Sequence, residues 1–241
     1  MLAIASVAVF SRTVCLQAVL SAASAFAARA GPTSIAAHQV ASQLWLLLSF
    51  VMDSLAVAAQ GLVADSLGGG HKAHARAVAS RVLQLGVGFG LAMAVIFQLL
   101  GPQLPLLFTS DAQVAAAVAP LVVIVGLMQP INAYVFAGDG VLQGSQDFVY
   151  EAATMAFSAC LAGAYIASQA SADTTAAASA AATTAAAEHG LLDVWVGLVL
   201  LQACRAATFS VRFWLDPRGP LAPRGERQSD KGGAPGPSGS G

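Results

Sequence analysis

Long apolar stretches separated by short polar breaks run through the chain and predict six membrane-spanning helices. Each stretch is long enough to cross a hydrocarbon core of about 30 Å at a rise of about 1.5 Å per residue. Turn signals at Gly31-Pro32 and Gly101-Pro102 mark two of the breaks. The predicted spans cover residues 2–28, 35–67, 78–100, 112–143, 148–167 and 191–214. The predicted fold class is therefore an all-α membrane protein.

Three segments outside these spans lack the apolar pattern. Residues 68–76 are rich in Gly, His and basic residues and predict a basic loop. Residues 168–190 consist of Ala, Thr and Ser repeats and predict a low-complexity connector with at most transient helix. Residues 215–241 are rich in Pro, Gly, Ser and Arg and predict a disordered tail. A signal peptide is the alternative interpretation of residues 2–28, which the missing positive n-region makes the weaker one.

A polar stripe interrupts the fourth apolar stretch. Gln129, Asn132, Asp139 and Gln143 follow one another at spacings of three, seven and four residues, which places them on one narrow arc of a helix. Pro130 removes a backbone donor, and a glycine on each side of the acid allows local distortion. This pattern predicts a polar helix face with a carboxylate inside the membrane.

The second span carries a similar stripe. Gln39, Gln43, Asp53 and Gln60 fall on one helix face about 100° wide. An acid inside a membrane span is a functional-site candidate by default, which singles out Asp53 and the acid of the fourth span. Hydrogen bonding between helices is the simpler alternative for any single glutamine. We predict that the two stripes line one substrate cavity.

Arg12 lies well inside the first span. A charge there costs at least about 2.5–3.5 kcal/mol unless it reaches the interface or finds a partner. Snorkelling to the near interface and a role in the cavity are equally supported alternatives. If Arg12 faces the cavity, it favours an anionic substrate.

Composition agrees with a membrane protein and argues against several other classes. The chain is 57% hydrophobic and 10% charged, with a mean hydropathy of +0.71, whereas soluble domains are about one quarter charged. No basic run alternates with aromatic residues, so nucleic acid is not an expected partner. Catalytic and cofactor-binding motifs are missing from the spans, so neither an enzyme nor a bound cofactor is expected.

The cysteines and loop histidines offer no metal site. Cys15, Cys160 and Cys204 are widely spaced within apolar runs, which predicts buried thiols. His71 and His74 stand three residues apart with no further ligand nearby, so we interpret them as solvated loop residues.

Basic residues of the predicted connections gather on one side of the membrane. With six spans, the opposite side carries essentially Arg29 alone. The positive-inside rule therefore predicts a multi-pass protein with both termini on the cytosolic or stromal side, in either the plasma membrane or the plastid envelope. The basic side collects Lys72, Arg76, Arg81, Arg212, Arg218, Arg224, Arg227 and Lys231.

A series of short motifs occurs in order along residues 12–150. They are Arg12-Thr13, Ala28-Arg29-Ala30-Gly31-Pro32-Thr33, Ala36-Ala37-His38-Gln39-Val40, Gln43-Leu44-Trp45-Leu46, Asp53-Ser54-Leu55-Ala56-Val57-Ala58-Ala59-Gln60, Ser80-Arg81-Val82-Leu83-Gln84-Leu85-Gly86, Phe108-Thr109-Ser110-Asp111, Gln129-Pro130-Ile131-Asn132 and Gly138-Asp139-Gly140. Together they resemble the multidrug and toxic compound extrusion (MATE) family, most of all its plant and algal branch of organic-acid exporters. The resemblance covers only the C-terminal six-helix lobe of a two-lobe, twelve-helix transporter.

The resemblance implies a secondary transporter that expels organic solutes in exchange for protons or sodium. In the family, an acid of the tenth helix, matched here by Asp139, lies in the C-lobe cavity and is implicated in coupling. Asp53 matches a recurrent acid of the eighth helix. The seventh-helix glutamate of the drug-exporting branch has no counterpart, because residues 1–30 contain no acid. With Arg12 in the cavity, the expected substrate is an organic anion such as citrate or an aromatic acid.

An alternative is a truncated or half-size subunit that does not transport alone. Two acid-bearing stripes exposed to lipid would cost a few kcal/mol per acid. We therefore expect a missing N-terminal lobe or a second copy of the chain as a partner, besides membrane lipid and a small organic substrate.

Overall fold

The computed structural model describes residues 2–101, 103–177, 184–216 and 219–221. Within these ranges the secondary structure is entirely helical, which confirms the predicted all-α class. A 3₁₀ turn covers Pro105–Leu107, and a π-helical turn, Val211–Leu215, ends the last helix. The α-helices are α1 (Leu2–Arg29), α2 (Pro32–Gly68), α3 (Lys72–Leu100), α4 (Ala112–Leu127), α5 (Gln129–Gly144), α6 (Phe148–Ala177) and α7 (Thr184–Ser210).

The described part of the chain contains up to six candidate membrane crossings. Helices α1, α2, α3, α6 and α7 each contain a stretch long and apolar enough to span a bilayer. Helices α4 and α5 meet the same criteria together, as one bent pair. The predicted bundle of six spanning helices is thereby confirmed.

The fourth predicted span, over residues 112–143, is not one continuous helix. The axes of α4 and α5 meet at 50°. Pro130 lacks an N–H, and its ring crowds the carbonyl one turn back, which favours a break at this point. The side-chain amide of Gln129 donates to the Val125 carbonyl at 2.7 Å beside the break. The expectation of a single uninterrupted helix is corrected accordingly.

Several predicted loops are shorter than expected. The basic loop over residues 68–76 is reduced to a few residues, because α3 already begins at Lys72. The predicted connector over residues 168–190 is largely helical in its described parts, since α6 runs to Ala177 and α7 begins at Thr184. Alanine is the best helix former, so an alanine-rich repeat readily extends the neighbouring helices. Residues 178–183 lie outside the described residues.

The cysteines are free thiols of mixed exposure. Cys15 and Cys204 are half-buried, whereas Cys160 is exposed on α6. The expectation of buried thiols is therefore wrong for Cys160. An outward-facing residue of a spanning helix meets lipid rather than water, so an apolar neighbourhood in the sequence does not distinguish the two positions.

Two apolar clusters occupy the two ends of the bundle. The larger cluster is built around Leu121 and Val125 of α4 and Trp195 of α7. The smaller cluster includes Val63 of α2, together with side chains from α3, α5 and the end of α7 such as Phe209. On α7, the residues between Leu201 and Phe209 belong to neither cluster. Two of the polar residues described below lie in this stretch.

Arg76, in the first turns of α3, contacts the C-terminal end of the described residues. Its Nη1 donates to the carbonyls of Phe213 at 3.1 Å and Leu221 at 2.8 Å. Its guanidinium also lies over the rings of Phe213 and Trp214, at 4.9 and 5.6 Å from the ring centroids. Leu221 is buried, so the predicted disordered tail does not begin at residue 215. Residues 222–241 lie outside the described residues.

A second arginine, Arg212, joins the α5–α6 turn to the end of α7. Arg212 pairs with Asp147, between α5 and α6, at 2.8 Å, and with Asp216 one turn on. The start of α3, the α5–α6 turn and the end of α7 therefore lie at one end of the bundle.

Replacing Arg76 with glutamine is expected to loosen the segment from Phe213 to Leu221. Hydrogen bonds from a charged donor contribute about 1.5–3 kcal/mol each, so amide hydrogen exchange in this segment should accelerate roughly tenfold or more. Hydrogen-exchange mass spectrometry measures this directly. Arg81→Gln is the matched control, because the exposed Arg81 bonds to its own helix neighbour Gln84. Equal exchange in the two variants would contradict the role given to Arg76.

Candidate functional site

A group of charged and amide side chains lies where α1, α5, α6 and α7 meet. On α7, Leu201 belongs to one apolar cluster and Phe209 to the other, and the polar positions of α7 lie between them. We call this group the polar cluster, which consists of Arg12, Asn132, Asp139, Gln143, Glu151, Gln202 and Arg205.

Asp139 is the centre of the polar cluster. Its Oδ2 lies 2.5 Å from Nη2 of Arg12 on α1 and also accepts a hydrogen bond from Nη2 of Arg205 on α7. The side chains of Asp139 and Arg205 are only 9% and 7% exposed, whereas that of Arg12 is 20% exposed. The Asp139 carboxylate thus pairs with two guanidinium groups, and of these two only that of Arg12 belongs to a partly exposed side chain.

Glu151, in the first turn of α6, is the second carboxylate. Its Oε1 lies 2.9 Å from Nε of Arg12 and accepts a hydrogen bond of 2.9 Å from Nε2 of Gln143. Glu151 is almost fully buried. The approach of Arg12 Nε is an ion pair without hydrogen-bond geometry, so this buried donor lacks a hydrogen bond. Arg12 therefore bridges both carboxylates, and its contact with Glu151 is the weaker one.

Amide side chains complete the polar cluster on its inner side. Gln202 accepts a hydrogen bond of 2.9 Å from Nη1 of Arg205 and donates to Oδ1 of Asn132. Nδ2 of Asn132 and Oε1 of the nearby Gln129 are buried without a hydrogen-bond partner. More than nine tenths of buried polar groups are normally satisfied, so these atoms have room for further hydrogen bonds, as do buried ring nitrogens of His38, Trp45 and Trp195 in or next to the larger apolar cluster.

The charges of the polar cluster balance. It contains two arginines and two carboxylates, joined by three ion pairs. Buried charges are tolerated only when they are paired, and removal of one partner typically costs about 3–5 kcal/mol. Binding of a further ion must therefore be accompanied by a compensating change of charge within the polar cluster.

The two predicted stripes differ in exposure. Gln39, Gln43 and Asp53 are exposed on the outer face of α2, and Gln60 is half-buried. The stripe on α5 is turned inward, and neither Gln129 nor Asn132 has any exposed surface. In this structure the two stripes therefore do not share one surface, and the role of either in lining a cavity stays a prediction.

Arg12 is a half-buried member of the polar cluster, with 20% of its side chain exposed. Asp53 on α2 is close enough to add to the negative potential around it. The Arg12 guanidinium contacts the carboxylates of Asp139 and Glu151.

Three members of the polar cluster are not predicted as site residues from the sequence. Glu151 stands three residues after the start of its span and resembles an ordinary flanking acid. Gln202 and Arg205 lie in the middle of the last span, three residues apart, on one face of α7. A charge within a span was the signal that identified Arg12, and the same rule identifies Arg205.

A shallow, open apolar groove lies on the surface between α1 and α6. Its lining includes residues one turn before Arg12 on α1 and residues adjacent to Glu151 on α6. The lining residues are Ala3, Val7, Ala8, Val149, Ala152 and Ala153.

No group of three or more metal-ligating His, Cys, Asp or Glu side chains occurs in the described ranges. The polar cluster instead contains two guanidinium groups, which in general bind carboxylates through paired, planar hydrogen bonds.

Comparison with known proteins identifies relatives of one kind. The family model MatE matches residues 11–169. Protein DETOXIFICATION 42 of Arabidopsis thaliana is 34% identical over 206 residues, which are 84% of this chain and 36% of that protein. The chloroplastic Protein DETOXIFICATION 44 of Arabidopsis thaliana is 32% identical over 194 residues, 80% of this chain and 34% of that protein. The chain thus spans about a third of the length of these relatives.

Solved structures share the fold. A MOP superfamily transporter from Pyrococcus furiosus superimposes with a TM-score of 0.77 at 14% identity, over 90% of this chain and 45% of that one. An outward-facing multidrug resistance MATE family transporter gives a TM-score of 0.76 at 14% identity, over 89% of this chain and 45% of that one. The chain therefore has the fold of a single lobe, just under half of each transporter.

Proposed function

Because the chain belongs to the multidrug and toxic compound extrusion (MATE) family, we propose that it forms one lobe of a secondary transporter that exports organic anions. The observation that carries this proposal is the pair of arginines around Asp139. Arg12 reaches the surface of the lobe and can offer its guanidinium to a substrate carboxylate. Citrate and small aromatic acids are the proposed substrates.

The proposed coupling ion is the proton rather than sodium. A sodium ion would have to reach carboxylate oxygens that two guanidinium groups already contact, and like charges within a few ångströms repel. A proton needs no coordination shell and neutralises a carboxylate in place. Protonation of an acid in the polar cluster therefore supplies the charge compensation that anion binding requires.

A second lobe is the proposed partner. The exposed face of α2 carries Gln39, Gln43 and Asp53, and exposure of such a face to lipid costs several kcal/mol in total. An N-terminal lobe of the same protein would cover it, as would another half-size chain or a second copy. This same observation supports the second candidate function, a half-size subunit that transports only after pairing. Both the plasma membrane and the plastid envelope fit, with the termini proposed on the cytosolic or stromal side.

Replacing Arg12 with glutamine is expected to reduce citrate transport at least about tenfold, because loss of a buried ion-pair partner costs about 2–5 kcal/mol and each 1.4 kcal/mol is tenfold. Transport is measured in proteoliposomes that contain the chain, with and without the N-terminal lobe of a plant relative. Citrate and a cationic dye are compared as substrates.

Arg29→Gln is the matched control, because Arg29 also lies on α1 but at its end, outside the polar cluster. This control should leave citrate transport unchanged. Preference for the cationic dye over citrate would contradict the anion proposal. Transport that appears only after the N-terminal lobe is added would support the half-size alternative.

A further inference from the structure

We propose that residues 219–221 form an autoinhibitory latch, which closes one end of the lobe and holds α7 against α5. The latch consists of Gly219, Pro220 and Leu221. Its docking is a contact within the lobe, whereas its effect on transport rests on the proposed function. While the latch is docked, α7 is held in place, and release of the latch allows transport at the full rate.

Leu221 occupies a pocket at the end of the bundle where α7 ends. Only 4% of this leucine is exposed, although it lies beyond the last described helix. It belongs to the smaller apolar cluster, together with Leu142 of α5 and Phe209 of α7. Removal of an aliphatic side chain from water is favourable, so packing alone favours the docked position.

Backbone contacts hold the latch as well. Nη1 of Arg76 on α3 donates to the Leu221 carbonyl at 2.8 Å, and a charged donor makes a stronger hydrogen bond than a neutral one. The Gly219 N–H donates to the Asp216 carbonyl at 3.2 Å, which turns the chain back toward the bundle. Gly219 fits closely there, because an added methyl group would lie 2.9 Å from the Arg212 carbonyl oxygen. The latch therefore joins α3 to the ends of α5 and α7.

Phe209 connects the latch to the polar cluster. Its ring lies against Gly138 of α5, where an added methyl group would be 2.9 Å from the ring. Gly138 directly precedes Asp139, and Phe209 follows Arg205 by about one turn of α7. Phe209 and Leu221 line the same pocket, so the docked latch restrains Phe209 from leaving Gly138. Docking therefore favours the position of α7 in which Arg205 reaches Asp139.

The contacts of the latch favour one arrangement of the helices. The latch can touch α3, α5 and α7 together only while the ends of these helices keep the positions described above. A secondary transporter alternates between two arrangements of its helices. A contact that is present in only one of them shifts the population toward that one. The docked latch therefore slows transport without a direct contact with the substrate.

Leu221→Asp tests the latch, because an unpaired charge is strongly disfavoured in an apolar pocket. Leu215→Asp is the matched control. It adds the same charge near the same end of the bundle, but Leu215 is 74% exposed. Arg76→Gln is a second test variant, which keeps the apolar side chain of Leu221 and removes the charged donor to its carbonyl.

The first measurement is the rate at which N-ethylmaleimide labels each cysteine of the full chain in detergent, followed by peptide mass spectrometry. Cys204 directly precedes Arg205 and reports on α7, whereas Cys15 on α1 is the internal control; both are half-buried. Labelling of Cys204 should be about tenfold faster in Leu221→Asp, because loss of the packing and of the charged hydrogen bond shifts the opening equilibrium by roughly that factor. Arg76→Gln should show a smaller increase, and Leu215→Asp should label as the wild type does.

The rate at Cys15 separates release of the latch from a general loosening of the bundle. It should equal that of the wild type in every variant. Unchanged labelling of Cys204 in both Leu221→Asp and Arg76→Gln would overturn the latch. Equal acceleration at Cys15 and Cys204 in both variants would overturn it too, because the segment would then only stabilise the fold.

The second measurement is citrate transport in proteoliposomes that also contain the N-terminal lobe of a plant relative. Leu221→Asp should transport at least about twofold faster than Leu215→Asp, since release shifts the population away from the latched arrangement. Equal or slower transport by Leu221→Asp would overturn the inhibitory role. Failure of the wild type and all variants to transport citrate would contradict the proposed function, while the labelling rates would still decide whether the latch restrains α7.

Discussion

Replacing Asp139 with alanine is expected to lower the free energy of unfolding by about 3–5 kcal/mol, because the change leaves Arg205 buried without a counter-ion. Arg205 has 7% of its side chain exposed and cannot reach water without a shift of α7. Arg12 loses its closest partner at the same time but keeps Glu151 and some exposure. The loss should therefore arise mainly from Arg205.

A double-mutant cycle measures this coupling. Chemical unfolding of the purified chain in detergent is compared for Asp139→Ala, Arg205→Ala and the double variant. The double variant should be more stable than the sum of the single losses predicts, because neither charge remains unpaired. Asp53→Ala removes an exposed acid and should change stability by no more than about 0.5 kcal/mol. Additive losses in the double variant would contradict the ion pair at the centre of the polar cluster.

Replacing Gly140 with alanine is expected to destabilise the bundle by about 1–3 kcal/mol or more. A methyl group at this position would collide with the Ala56 carbonyl and would lie within 2.9 Å of the Ala56 Cα. These are backbone atoms of α2, which cannot rotate away, so α2 and α5 would have to move apart. That movement would also displace Asp139, which directly precedes Gly140 on α5.

Gly163→Ala on α6 is the matched control for this substitution. No atom lies within 4 Å of the added methyl group there. Alanine is preferred to glycine in a helix by about 0.5–1 kcal/mol, so the control should be neutral or slightly stabilising. Thermal unfolding in detergent measures both variants. Equal unfolding temperatures for Gly140→Ala and Gly163→Ala would refute the close approach of α2 and α5.

The apolar pattern was sufficient to predict the six crossings, because the thickness of a bilayer sets the minimum length of each apolar stretch. The same pattern could not reveal the break between α4 and α5. Pro130 indicates local distortion, but the size of the bend, 50°, depends on how the two halves pack against the neighbouring helices. The helices also extend beyond their apolar stretches, since polar residues such as Lys72 can continue a helix.

Helical periodicity placed Asp139 and its neighbours on one arc but could not show which way the arc faces. The relative angles of residues are a property of one helix, whereas its rotation is determined by packing against the others. The stripe on α5 turns inward and that on α2 outward for this reason. The partners of Asp139 come from α1 and α7, more than sixty residues away in either direction, so spacing alone could not connect them.

Binding of citrate to the purified chain shows directly whether the polar cluster receives an organic anion. We expect saturable binding to the wild type, at least about tenfold weaker binding to Arg12→Gln, and unchanged binding to Arg29→Gln. Equal citrate affinity in the wild type and Arg12→Gln, or preferential binding of a cationic dye, would contradict the claim that the polar cluster of this lobe receives an organic anion.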